Sequence, residues 1–228
     1  MKVFVVMSDN RRLDSEYNTL TAFINNEYCK RHGYGFIYFR PYIRDNLPYL
    51  YNCLNPITNT RRHASWSKLL SVTIALESPD YDYIVYIDSD CIFKDHTKPI
   101  DSYLPTEGYN VLFLNNKPWN DDRPCAGFFA CRVNDATRQF IKDWWNVQIP
   151  KNDEKHPWEQ AALWKIYTKY PIQIIDAWMF QEVEGQFLRH VATNQSKQRI
   201  PYFMKYIVDM TIKTDTIPYQ EYDTALTK

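Results

Sequence analysis

Neither sign of charge is in excess in this chain of 228 residues, where 27 Lys and Arg stand against 27 Asp and Glu. A balanced surface has no overall field to draw in nucleic acid or an anionic bilayer, so a ligand must be recognised locally. Cysteine is sparse. Cys29, Cys53, Cys91, Cys125 and Cys131 are odd in number and contain no C-x-x-C pair, which argues against a disulfide framework and a zinc knuckle and makes reduced thiols the default. There is no G-x-x-x-x-G-K phosphate loop, no apolar run of membrane-spanning length, no internal repeat and no low-complexity segment. The apolar start Met1 to Met7 is too short for a signal h-region with its cleavage site and reads as a first strand. A cytoplasmic setting is therefore expected. Asn194-Gln195-Ser196 fits a glycosylation acceptor, but without a secretion signal it carries no information.

What the chain does have is aromatic residues, 16% of the total with 18 Tyr and 7 Trp, suited to cores and to stacking on bases or sugar faces. It also has a pair of acids, Asp88-Ser89-Asp90, directly after the apolar run Tyr83 to Ile87. That run lacks polar alternation and reads as a strand buried on both faces, as in a parallel sheet. In such sheets ligands collect outside the carboxyl ends of strands, and side chains at i and i+2 project the same way. Two carboxylates facing one crevice repel unless a cation or proton intervenes, which points to a divalent metal holding an anionic substrate.

The rest alternates strand and helix. Val3 to Met7 predicts a strand, Ser15 to Arg31 a helix stopped at His32-Gly33, and Phe36 to Phe39 a strand. Residues 41–60, with three prolines, read as a long loop that could cover the site. Ser65 to Glu77 predicts a helix, Val111 to Leu114 and Gly127 to Cys131 strands, and Asn134 or Asp135 caps a helix reaching Trp145. Trp158 to Tyr170 (helix), Ile172 to Ile175 (strand) and Tyr202 to Met210 (helix) complete the pattern. The length favours one domain, and the alternation predicts an α/β sandwich with a mainly parallel sheet.

The order of these features resembles the GT-A class of nucleotide-sugar glycosyltransferases. A first strand ends in an Asp-containing loop (Ser8-Asp9-Asn10) and Lys68 lies near a helix start. A buried strand ends in D-x-D, Ala126-Gly127-Phe128-Phe129 makes a later strand, Glu159-Gln160 opens a helix, and His190 comes late. Within that class the chain looks most like the retaining galactosyl- and xylosyltransferase families, and more distantly like glycosyltransferases encoded by large DNA viruses. It departs from them in having no Gly after His190 and no clear Asn before Gly127. The resemblance spans about residues 1–200, leaving 201–228 as a C-terminal helix and tail. It implies a single GT-A-like α/β domain with a Rossmann-like nucleotide half and an acceptor half.

The resemblance also assigns roles. A UDP-sugar would be the donor and a glycan or glycoprotein hydroxyl the acceptor, with no nucleic-acid partner and no membrane span. Mn²⁺ or Mg²⁺ would offset charge on the leaving diphosphate, held by Asp90, Asp88 and His190; an imidazole ligand tilts the choice toward Mn²⁺. Lys68, Lys197 and Arg199 are candidates for the diphosphate, and Ser8, Asp9, Asn10, Ser89 and Tyr17 for the base and ribose. Glu159 and Gln160 are candidates for the donor-sugar site and, with Asp88 and Asp90, for catalysis. Asp176, Glu182 and Glu184 are the other acids that could serve as a base. A sugar-binding module without catalysis and a metal-dependent nucleotidyltransferase are the competing readings.

Overall fold

The computed structural model describes residues 1–11, 17–40, 53–115, 122–176, 187–191 and 196–213, with side chains of the last segment described from 198 to 210. Residues 41–52 of the expected covering loop, Glu182, Glu184 and the side chain of Lys197 lie outside them.

Six strands form one sheet: β1 (Val3–Ser8), β2 (Gly35–Phe39), β3 (Tyr83–Asp88), β5 (Val111–Asn115), β6 (Pro124–Arg132) and β7 (Ile172–Ile175), in the order β2-β1-β3-β6-β5-β7. All neighbours run parallel except at β6, which is antiparallel to both β3 and β5. The sheet is thus mainly parallel, with one reversed strand. Two short strands, β4 (Cys91–Phe93) and β8 (Leu188–His190), pair antiparallel in a separate ribbon. At three residues each they are too brief to show periodicity in the sequence.

Alternating residues of the central strands bury on opposite faces, as the two-residue period of a strand requires. Val5, Met7, Val85, Ile87 and Phe128 face helix α1 (Asn18–His32), which contributes Ala22, Tyr28 and Cys29. Val6, Ile84, Tyr86 and Phe129 face the other way. There they meet α2 (Ser67–Leu76), α3 (Asp135–Asn146) and α5 (Trp158–Ile166), with Leu69, Val72, Trp144 and Leu163 between the layers. The single turn α4 (Pro150–Asp153) precedes α5. Helix α6 (Ser196–Lys213) starts before the Tyr202 expected from the sequence and so runs across residue 200. Phe203 joins it to Tyr17, Ile24, Ile92 and Val191, packing it on α1 and the ribbon.

Local chemistry explains the ends. Gly33 takes the left-handed conformation (φ 69°) that closes α1, its N–H bonding to Cys29 and Lys30 carbonyls. Asn134 caps α3 by accepting from the Thr137 N–H at 2.9 Å. All five cysteines are free thiols and buried.

His96, just past β4, is 7% exposed and its Nε2 lies 3.1 Å from the Phe93 carbonyl. Burial, helped by the nearby Arg31 charge, lowers its pKa to about 4. The folded state therefore binds this proton less well than the unfolded chain, and stability is lost as pH falls from about 6.5 toward 4. Relative to His96→Gln, which cannot titrate, the native protein should lose about 2–3 kcal/mol between pH 7 and pH 4.5, at roughly 1.4 kcal/mol per pH unit. Urea unfolding of both proteins at the two pH values measures it; parallel loss would refute the assignment.

Candidate functional site

β1 and β3 lie side by side in register, Ser8 opposite Asp88. The chain leaves β1 toward β2 on one side and reaches β3 on the other, so the carboxyl ends of β1 and β3 flank a topological switch point, where α/β sheets bind ligands. Asp88 is the last residue of β3 and points to the same side as Tyr86, whose phenol donates to its Oδ1 at 3.0 Å. The Lys68 ammonium, in the first turn of α2, stands 3.0 Å from that oxygen, 2.7 Å from Glu159 Oε1 and 3.0 Å from the Ala126 carbonyl. Three acceptors use its three donors. Burial works to lower the Lys68 pKa, but Asp88 and Glu159 outweigh it and hold it above the ordinary lysine value. Burial also lifts Asp88 above the usual carboxylate range, Lys68 opposing and Asp90 adding to it.

Asp90 sits one turn residue further, and the ribbon completes its surroundings. Cys91 pairs with His190, and the Val191 N–H bonds the Asp90 carbonyl at 3.0 Å. His190 Nε2 is thereby set 3.1 Å from Asp90 Oδ1, while Arg199 Nη2 from α6 donates to Oδ2 at 2.6 Å. Against the cost of burial, His190 and Arg199 hold the Asp90 carboxyl below its ordinary pKa. Against the same cost, Asp90 lifts His190. Gly127 of β6 closes this corner: a Cβ there would stand 3.2 Å from both Asp88 Oδ2 and His190 Cε1. The missing methyl leaves room beside the two side chains. Among the described residues, ligand atoms of Asp90, Cys91 and His190 lie within 4.8 Å of one another, and Asp88, expected from the sequence as a further metal ligand, stands beside that group and not within it.

A cleft of about 550 Å³ opens from these acids, within the usual range of ligand pockets. Its lining includes Ser8, Asp9, Asn10, Arg11, Tyr17, Ser89 and Arg199 together with the segment Arg61 to Ser65 and Glu154. Arg11 clasps the Asp9 carboxylate through its backbone N–H at 2.8 Å and its Nε at 2.9 Å, and the Ser89 hydroxyl donates to the same carboxylate. These bonds outweigh burial and lower the Asp9 pKa. Two guanidiniums stand near the Tyr17 ring, Arg11 at 4.8 Å and Arg199 at 4.9 Å from its centroid, and both donate to its hydroxyl.

Ser8, Asp9, Asn10, Tyr17, Asp88, Ser89 and Asp90 all line this one cleft. Others depart from their expected roles. Lys68 is 3% exposed with its donors taken by protein oxygens, so it anchors Asp88 and does not reach out for a diphosphate. Tyr17 is 3% exposed, too covered to stack on a base. Glu159 is buried behind Lys68, and the Gln160 side-chain oxygen Oε1 accepts from the Ala126 N–H at 2.9 Å; neither is among the residues lining the cleft. Asp176 follows β7 at the far edge of the sheet. Arg199 does reach the site.

The Arg61–Ser65 wall escapes sequence reasoning. Its anchor is Arg62, 1% exposed, whose guanidinium stacks 3.7 Å from the Trp66 ring, pairs with Asp153 Oδ1 at 2.9 Å and donates to the Trp145 carbonyl. The sole hint was an Arg-Arg pair at the end of an unpatterned loop.

Comparison with known proteins places this geometry. Residues 1–206 match the galactosyl transferase GMA12/MNN10 family. A glycosyltransferase involved in glycosylation of the major capsid of PBCV-1 superposes with a TM-score of 0.68 at 17% identity, over 90% of this chain and all of that one. The glycosyltransferase GlyE of Streptococcus pneumoniae gives 0.56 at 10% identity, covering 93% of this chain and 64% of its own. A mutant β1,4-galactosyltransferase 7 of Drosophila, solved with manganese, UDP-Gal and xylobiose, gives 0.49 at 15%, over 87% and 74%. No curated protein matches in sequence. At these identities the structural likeness establishes the fold, that of GT-A glycosyltransferases. No helix among the described residues is long and apolar enough to cross a membrane.

Proposed function

The chain belongs to the galactosyl transferase GMA12/MNN10 family, and from that premise we propose that it moves a hexose from a UDP-sugar to a hydroxyl of a glycan or glycoprotein, with retention of anomeric configuration and dependence on Mn²⁺ or Mg²⁺. The observation that carries the reading is the acid pair at the switch-point cleft, with Asp90 clasped by His190 and Arg199. Asp90 and His190, with Asp88 beside them, would hold the cation, which when bound supplies Lewis-acid stabilisation of the charge on the leaving diphosphate.

The remaining work falls to side chains of this protein. Arg11 and Arg199 bring two fixed positive charges to the cleft wall next to the acids, where a diphosphate needs them. Asp9, Ser89 and Ser8 present oxygens at the carboxyl ends of β1 and β3, able to take hydrogen bonds from a ribose or a base edge. Lys68 fixes the Asp88 carboxylate so that it costs no reorganisation during the reaction.

Of the carboxylates lining the cleft, Asp9, Asp88 and Asp90 are committed to Arg11, Lys68 and the His190–Arg199 pair respectively. Among the described residues, Glu154 is the remaining lining acid. A retaining reaction needs no base at that place, because the departing phosphate can accept the proton of the acceptor hydroxyl. Proton NMR of the first-formed product distinguishes retention from inversion.

UDP with Mn²⁺ should raise the melting temperature by several degrees, and UDP alone by much less. A ligand at 100 times its Kd stabilises by about 2.7 kcal/mol, worth roughly 5–10 °C for a chain of this size. Thermal melts across a panel of UDP- and GDP-sugars measure it and identify the donor. A flat response to every nucleotide would sink the transfer reading.

A further inference from the structure

We propose that Cys91, together with Asp90 and His190, forms a second mode of metal binding at this corner, a three-ligand pocket that captures a thiophilic divalent cation such as Zn²⁺ or Cd²⁺ without any nucleotide. The carboxylate of Asp90, the thiol of Cys91 and the imidazole of His190 each offer a ligand atom, and these lie within 4.8 Å of one another. The pairing of the ribbon explains the convergence. Cys91 and His190 are direct cross-strand partners, so both side chains leave the same face a short distance apart, and Asp90 adjoins at 3.1 Å from His190.

The donor set decides the chemistry. One sulfur, one imidazole nitrogen and one carboxylate oxygen are the ligands of tetrahedral Zn²⁺, with a fourth position open. Ca²⁺ and Mg²⁺ prefer oxygen, and Mn²⁺ stands lowest among the first-row divalent ions at a mixed site. The oxygen-rich side toward Asp88 and the sulfur side toward Cys91 therefore share Asp90 and His190 but select different ions. On the sulfur side the thiol gives up its hydrogen bond to the Gly127 carbonyl, now 3.8 Å away. Its proton passes to solvent as the sulfur–metal bond forms, and no oxidation state changes. An ion held there would occupy the two ligands that the transfer reaction needs, so trace zinc would act as an inhibitor.

The inference shares Asp90 and His190 with the proposed transferase site, and its test is independent of turnover. The reduced 228-residue chain, free of nucleotide, is titrated with CdCl₂ while thiolate-to-cadmium charge-transfer absorbance is followed in the ultraviolet. One equivalent should produce the band. Cys91→Ser should abolish it and weaken Cd²⁺ binding by about tenfold or more, while bound Mn²⁺, read by electron paramagnetic resonance, changes less than about threefold. Cys125 is a necessary control, because it is buried in the same core cluster as Cys91; Cys125→Ser should keep the band.

A band that survives Cys91→Ser, or that needs Cys125 and not Cys91, overturns the proposal. Should Cys91→Ser fail to fold, X-ray absorption of the Zn²⁺-loaded native protein decides: one sulfur at about 2.3 Å supports the site, and a shell of nitrogen and oxygen alone refutes it. A cadmium band with no nucleotide response leaves this inference standing and removes the transferase reading. The reverse result does the opposite.

Discussion

Asp90→Asn should lower the transfer rate by at least about 10²–10³-fold, the scale on which loss of one preorganised electrostatic partner is felt in an active site. It should also erase the Mn²⁺-dependent part of the UDP-induced thermal shift. The amide keeps the shape of the side chain and removes its charge. His190 and Arg199 then face a neutral group in a buried corner, so the variant should also be less stable before any ligand is added. For that reason the measurement is the change in melting temperature on adding Mn²⁺ to UDP, and not the absolute midpoint. An unaltered metal-dependent shift would show that Asp90 is not a ligand, and normal turnover would remove it from the site altogether.

Lys68→Met should cost about 3–5 kcal/mol of stability, because it leaves Asp88 and Glu159 without the cation that both face. Methionine fills much of the lysine stem's volume, so the loss reports charge and not a cavity. Glu159 already has one buried oxygen, Oε2, with no hydrogen-bond partner among the described residues, and stripping Lys68 from the other leaves the whole group uncompensated. A second change, Glu159→Gln, keeps an oxygen for Lys68 and leaves it paired with Asp88, so it should cost less alone than Lys68→Met and return a substantial part of the loss when the two are combined. The two residues are in direct contact, so their substitutions should not be additive. Urea unfolding of the four proteins closes the cycle; additive effects would mean that the triad is not an energetic unit.

The sequence disclosed what is contiguous. β1, β3, β5 and β6 carry apolar runs, α1 ends at a glycine, α3 begins at an asparagine, and Asp88-Ser89-Asp90 lies at a strand end because five apolar residues precede it. What stayed hidden depends on partners far along the chain. The reversed direction of β6 leaves no mark on its own residues. β4 and β8 are strands only because each finds the other, and Arg62 is an anchor only because Trp66, Trp145 and Asp153 converge on it. Lys68 shows the limit most sharply. A lysine near a helix start suits a phosphate contact or a buried counter-ion equally well, and only the positions of Asp88, Glu159 and the Ala126 carbonyl decide between them.

The three-residue ribbon has a consequence for how the protein becomes competent as it is made. Synthesis runs from the amino terminus and early segments can fold first, so the sheet strands and the acid pair precede His190 and Arg199 out of the ribosome, the latter by 109 positions relative to Asp90. Until β8 and α6 have both docked, Asp90 lacks one or both of its cationic neighbours, His190 and Arg199. Docking must also find the right alignment. A slip of one residue would set Arg189 opposite Cys91 in place of His190 and turn every side chain of β8 to the other face. The register of this short ribbon therefore decides whether His190 or its neighbour stands opposite Cys91 and beside Asp90.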